Sequence, residues 1–202
     1  GTTPRGRLRV VWEATEDVLA VPYETPIPGY RTGIVNPLIL WAAKSTEEFN
    51  LDYFQHGDYL RAVRQKVESE TISKVLYPND NVALGHELRL KQEYFFVSAS
   101  LQKILRDFLG THDDIRRFPE KVAIHLNDTH PALAIPELMR LLVDEQNLPW
   151  DKAWEIATAT FAYTNHTLLP EALEKWEVGL LQRILPRDLE IIYEINRRFL
   201  EQ

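Results

Sequence analysis

The chain has 202 residues, 45% of them hydrophobic and 26% charged, with a formal net charge of -7 and a pI near 5.4. That acidic balance argues against a nucleic-acid footprint, which needs a basic face, and a cysteine count of 0 excludes a disulfide framework and a thiolate metal site. No apolar run approaches the ~20 residues of a membrane-spanning helix and no signal peptide is visible, so neither nucleic acid nor membrane is an expected partner.

In chain order, residues 7–12 and 17–23 carry alternating β-branched and aromatic side chains and predict two short strands. Pro22, Pro26, Pro28 and Gly29 predict an irregular loop. Residues 34–41 predict a further strand, with Pro37 at an edge or a bend. Residues 53–58 read as a turn. Over 59–76 the pattern becomes helical: Leu60, Val63, Val67, Ile72 and Val75 form a thin apolar stripe among many charges. Tyr77-Pro78-Asn79-Asp80-Asn81 is a break and turn, equally consistent with a plain surface Asx-turn.

After Gly85, the positions Leu90, Tyr94, Val97, Leu101, Ile104 and Phe108 step by four and three and predict the strongest helix, closed by Gly110. Residues 111–118 read as a polar loop. Val122, Ile124 and Leu126 alternate as a strand, and a helix follows over 134–146 with Pro136 in its first turn. Trp150, Ala153, Trp154, Ala157 and Phe161 predict another helix, leading into a short strand near 161–166. Pro170 then restarts the chain as a helix carrying Glu171 and Glu174, and residues 178–185 and 189–200 predict two more, separated by Pro186. Residues 1–45 are thus expected to be mostly β, and 46–202 mostly helical with strands near 121–127 and 161–166. Strand-then-helix alternation predicts an α/β layer. The abrupt opening at Gly1-Thr2-Thr3 and the ending inside a helical pattern predict a piece of something longer.

Two stretches share one grammar. The run up to Leu126 ends in Asn127-Asp128-Thr129-His130 before Pro131, and the run up to Tyr163 ends in Thr164-Asn165-His166. Polar side chains at the carboxyl ends of strands in an α/β sheet line the crevice where ligands sit, so His130 and His166 could face one pocket. No Gly-rich phosphate loop, zinc helix motif or nucleophile elbow is present. His130, His166 and Asp128 could be assembled as metal donors, but their spacing specifies no such set and no metal is expected. Glu171 and Glu174 suit either a solvated first turn or the paired carboxylates of glycoside chemistry. From the residues alone the reading is an α/β chain with a polar crevice.

The segments VLAVPYETPIPGYRTGIVNPLILWAAKS, ISKVLYPNDN, ELRLKQEYFFVSASLQ, VAIHLNDTHPALAIPELMRLLVDE, WDKAWEIATATFAYTNHTLLPEALEKW and LLPRDLEIIYEINRRFL carry the reading further. They are collinear with, and resemble, the α-glucan phosphorylase family of glycogen, starch and maltodextrin phosphorylases. The resemblance implies an internal part of a helix-rich, partly Rossmann-like N-terminal domain of GT-B type, with a small β-rich N-terminal portion. It implies a cytoplasmic, homodimeric parent enzyme that releases glucose 1-phosphate from an α-1,4-glucan with phosphate. It implies pyridoxal phosphate on a lysine of a C-terminal domain outside this chain, and hence no activity of the chain by itself. The helix over 59–76 would pack across the dimer interface.

Residue by residue, the resemblance puts the His166 side chain on the sugar's 6-hydroxyl, with its backbone carbonyl facing the charge that develops at the anomeric carbon. Asp80 and Asn81 would belong to a mobile gate loop, Asn81 reaching the 2-hydroxyl. His130, Asp128 and Glu174 would lie on the glucan-acceptor side, with Asn165 among the substrate contacts. Tyr193 and Asn196 would hold glucan at a storage site. Some animal members are allosteric enzymes in which two successive arginines help hold AMP; here the pair is Arg106-Asp107, and a carboxylate repels phosphate, so AMP control is not expected. The competing readings are a non-catalytic glucan-binding module and a helical interaction scaffold.

Overall fold

The structure, a computed structural model, describes residues 10–46, 51–79, 82–169 and 173–201. The chain divides into two units, one spanning residues 15–99 and the other comprising residues 1–14 with 100–202.

In the first of these, β1 (Val18–Pro28) and β2 (Val35–Ser45) form an antiparallel hairpin in which Val18 faces Ser45 and Pro28 faces Val35. Pro22, Pro26 and Pro28, expected in an irregular loop, lie inside β1. The register explains why they are tolerated. Pro26 faces Pro37, and two prolines exchange no N–H bonds, so this must be a pair of the non-hydrogen-bonded kind. Pair types alternate along an antiparallel ladder, which places Pro22 and Pro28 in pairs of the same kind, where the missing N–H would have pointed away from β2. The hairpin closes with the Gly29 N–H on the Ile34 carbonyl at 2.9 Å. Residues 10–12 form no strand, and the rest of that expected strand lies outside the described residues.

A short helix, α1 (Leu51–Gln55), stands where a turn was expected, and α2 (Tyr59–Thr71) is shorter than the apolar stripe suggested. Asp58 caps α2, its carboxylate accepting the Arg61 N–H at 3.1 Å. Past the helix end, the buried Gln92 takes over the backbone groups. Its amide donates to the Ile72 carbonyl at 2.8 Å and the Val75 carbonyl at 2.9 Å, and its oxygen accepts the Tyr77 N–H at 3.3 Å. Ala43, Ile72 and Phe95 form the core here, with Val18, Ala20, Trp41, Leu88 and Phe96 packed around them. The long helix α3 (Ala83–Leu109) runs through the boundary between the units. Gly85 in its first turn is required by close approach: a Cβ there would collide with the Asn79 carbonyl. Gly110 follows α3 with its N–H on the Arg106 carbonyl at 2.9 Å.

In the second unit, Asp114 caps a 3-10 turn, Ile115–Arg117, which leads into α4 (Phe118–Lys121). Phe118 is fully buried, edge-on to Phe108 at 5.2 Å. The strands β3 (Ile124–Asn127) and β4 (Phe161–Thr164) pair in parallel, Ile124 beside Phe161 and Asn127 beside Thr164. Between them run α5 (Ala134–Arg140), a π-helical turn (Leu141–Glu145) and α6 (Trp150–Thr160). The expected helix over 134–146 is therefore split, and Phe161 opens β4 instead of closing α6. Then come α7 (Val178–Ile184) and α8 (Pro186–Leu200), the latter starting on its proline. Leu138, Met139, Leu141, Leu142, Leu185 and Ile191 are among the fully buried side chains. The described residues are thus mixed α/β, helix-rich, with two small sheets. No helix among them is long and apolar enough to cross a membrane.

Candidate active site

The two parallel strands end side by side, so register alone brings their following residues together. Asp128 leaves β3 with φ of 58°, a left-handed geometry that Asp and Asn adopt more readily than other side-chain-bearing residues. Its N–H donates to the Thr164 carbonyl at 2.9 Å, adding one bond beyond the strand pair. Its carboxylate accepts the backbone N–H of His166 at 2.8 Å. The His166 ring is held separately, Nε2 lying 3.1 Å from the side-chain oxygen of Asn127. An amide oxygen only accepts, so Nε2 carries the proton and Nδ1 is the acceptor nitrogen of the neutral ring. His125 on β3 places Nε2 2.6 Å from the Thr164 hydroxyl.

A second cluster forms from the same loops. His130 Nδ1 lies 3.0 Å from a Glu174 carboxylate oxygen, and the Glu174 N–H donates to the Thr129 hydroxyl at 3.2 Å. The Glu174 side chain is 11% exposed and that of His130 41%, so the imidazole is the solvent-facing member of the pair. Asn165 is exposed and turns its side-chain oxygen back to the Thr167 N–H at 3.4 Å. Leu173 to Glu177 is not helical, because α7 begins only at Val178; Glu174 therefore does not stand on a helical face as the spacing suggested. Asp80, Asn81 and Glu171 lie outside the described residues. Tyr193 and Asn196 are exposed on α8 and apart from the strand-end clusters in sequence.

Asn127 and Thr129 are the residues that sequence reasoning missed. Asn127 is the last residue of β3 and looks like an outward strand position; only its place beside Thr164 in the parallel register reveals the reach to His166.

The sequence model of the carbohydrate phosphorylase family matches residues 1–202, the whole chain. The chain belongs to the carbohydrate phosphorylase family. It is 59% identical over 199 residues to the muscle form of glycogen phosphorylase from Oryctolagus cuniculus, and 58% identical over 199 residues to that from Homo sapiens. Each of those alignments covers 95% of this chain and 24% of the relative. The brain form from Rattus norvegicus is 56% identical over 207 residues, covering 98% of this chain and 24% of its own length. This carbohydrate phosphorylase chain therefore spans about a quarter of the length of those curated relatives.

The site described does not fit the family's pyridoxal cofactor. Imine formation needs a lysine, and a cofactor phosphate needs cations, whereas the hydrogen-bonded groups here are imidazoles, carboxylates, amides and hydroxyls. At the position where AMP-responsive members are expected to carry a second arginine, Asp107 forms an ion pair with Lys103 at 2.7 Å.

Proposed function

We propose that this chain is the glucan-facing part of the N-terminal, GT-B-type lobe of an α-1,4-glucan phosphorylase, which releases glucose 1-phosphate from glycogen or maltodextrin with phosphate. The observation that carries this reading is the double anchoring of His166, its ring by Asn127 and its main chain by Asp128. Cleaving a glucosidic bond builds positive charge at the anomeric carbon. Fixed dipoles aimed at developing charge stabilise it without reorganising during the reaction. His166 supplies two such groups: Nδ1 accepts from the sugar's 6-hydroxyl, and the backbone carbonyl faces the anomeric carbon. Asn127 keeps the ring in the tautomer that leaves Nδ1 as acceptor. Asp128 holds the main chain, and with it the carbonyl.

On the acceptor side, Glu174 orients His130, so that Nε2 meets a glucan hydroxyl, and Asn165 adds a further polar contact. By the family resemblance, a gate role and a contact to the sugar's 2-hydroxyl are assigned to Asp80 and Asn81, which lie outside the described residues. Tyr193 and Asn196, exposed on α8, are suited to hold glucan outside the site. The parent is a homodimer; Leu60, Val63 and Val67, exposed on α2, are consistent with a contact there. Phosphate, glucan and glucose 1-phosphate are its ligands, pyridoxal phosphate sits in a part of the enzyme outside this chain, and the cytoplasm is its compartment.

The test is steady-state phosphorolysis of maltodextrin by the full-length enzyme bearing His166→Ala. Losing a hydrogen bond made chiefly in the transition state costs about 1–3 kcal/mol, so turnover falls roughly ten- to a hundredfold. The apparent glucan KM changes much less, because polymer binding is spread over several subsites. Intact turnover with weakened glucan affinity would instead make His166 a binding residue of a glucan module.

A further inference from the structure

We propose that the joint between α5 and α8 is proton-locked: Asp188 sits in it as a neutral carboxylic acid, and ionisation of that acid loosens α8. Asp188 lies in the first turn of α8, is fully buried, and neither of its carboxylate oxygens meets a hydrogen-bond donor among the described residues. Glu137 of α5 is also fully buried, and close enough for its charge to act on Asp188. The nearby cations are committed elsewhere. Arg140 of α5 grips Glu137 with two bonds of 2.7 and 2.9 Å and reaches Glu145 of the π-helical turn at 2.9 Å. Arg187, next to Asp188 in sequence, makes two bonds of 2.8 Å to Asp144 of the π-helical turn and one of 2.9 Å to Glu190. From α7 the only titratable side chain is Arg183, which is exposed. On α6, Asp151 is taken by Arg198 at 2.6 Å, and Lys152 pairs with Glu155.

Two buried carboxyl groups therefore share one guanidinium that already satisfies Glu137. A second buried anion without donors is far costlier than a buried neutral acid. Burial above all, with the Glu137 charge second, pushes the Asp188 carboxyl up to about 8, against the opposing pulls of Arg140, its own backbone N–H and Arg187. The sign of the linkage follows. The folded state holds this proton more tightly than the open state, whose carboxyl titrates near about 3.9. The stabilisation is complete below about pH 4, is lost at about tenfold in the opening equilibrium per pH unit as pH rises, and levels off above about pH 8.

The experiment is hydrogen exchange of the α8 amides, corrected for intrinsic rates, in the full-length protein from pH 5 to 9. In the unmodified protein the α8 opening constant is expected to rise about tenfold per pH unit up to about pH 8 and then level. In Asp188→Asn the rise should vanish. Asp188→Leu, which removes the polar group altogether, should behave in the same way and keeps the test open if the buried amide disturbs packing. A flat profile in the unmodified protein, or the same rise in either variant, would overturn the proposal.

Discussion

At the scale of single residues, Asp128 does two jobs that substitution can separate. Its backbone adopts a left-handed φ of 58° and its carboxylate holds the His166 N–H. Asp128→Asn keeps an acceptor and tolerates the backbone, so it loses only the charge in that bond, about 1 kcal/mol. Asp128→Ala loses the acceptor and places an alanine in left-handed geometry, costing about 1–2 kcal/mol more. Chemical denaturation of both variants checks this ordering, and equal stabilities would contradict it. The residues at this site were legible to different degrees for a physical reason. His130, Asp128 and His166 stand in polar clusters that interrupt apolar strands, a pattern visible along the chain. The role of Asn127 depends on a parallel pairing 37 positions away, Asn127 with Thr164, and no local pattern encodes that register.

At the scale of elements, the helical stripes of α3 and α8 are legible from spacing because one face of each is buried, Leu90, Val97, Leu101 and Phe108 on α3 and Leu189 and Ile191 on α8, whereas Leu60, Val63 and Val67 on α2 are exposed. The prolines of β1 were misread because a two-stranded ladder leaves every second N–H pointing outward, where proline costs nothing. The helix over 134–146 was read as one because its apolar residues continue through the π-helical turn; the extra residue in that turn leaves no compositional mark. Gly85 offers a test of element packing. A glycine-to-alanine change in a helix ordinarily stabilises by about 1 kcal/mol. Here the added methyl would meet the Asn79 carbonyl, so Gly85→Ala should instead destabilise by about 1–3 kcal/mol. A thermal melt shifted upward would show that the segment before Asp80 yields freely.

At the scale of the whole molecule, the chain corresponds to 24% of the length of the glycogen phosphorylases it resembles, and the proposed function gives its site sugar-facing groups without a cofactor lysine. The purified chain is accordingly expected to form no glucose 1-phosphate from maltodextrin and phosphate, even with added pyridoxal phosphate; measurable product would contradict the assignment of roles. The central claim is that His166 acts through the sugar's 6-hydroxyl during bond cleavage. It is tested most directly by measuring turnover of the full-length enzyme and its His166→Ala variant on a normal and a 6-deoxy glucosyl donor. The account predicts that either change alone lowers turnover roughly ten- to a hundredfold, and that the second change adds little once the first is made, because both remove the same hydrogen bond. Losses that multiply in full would contradict it.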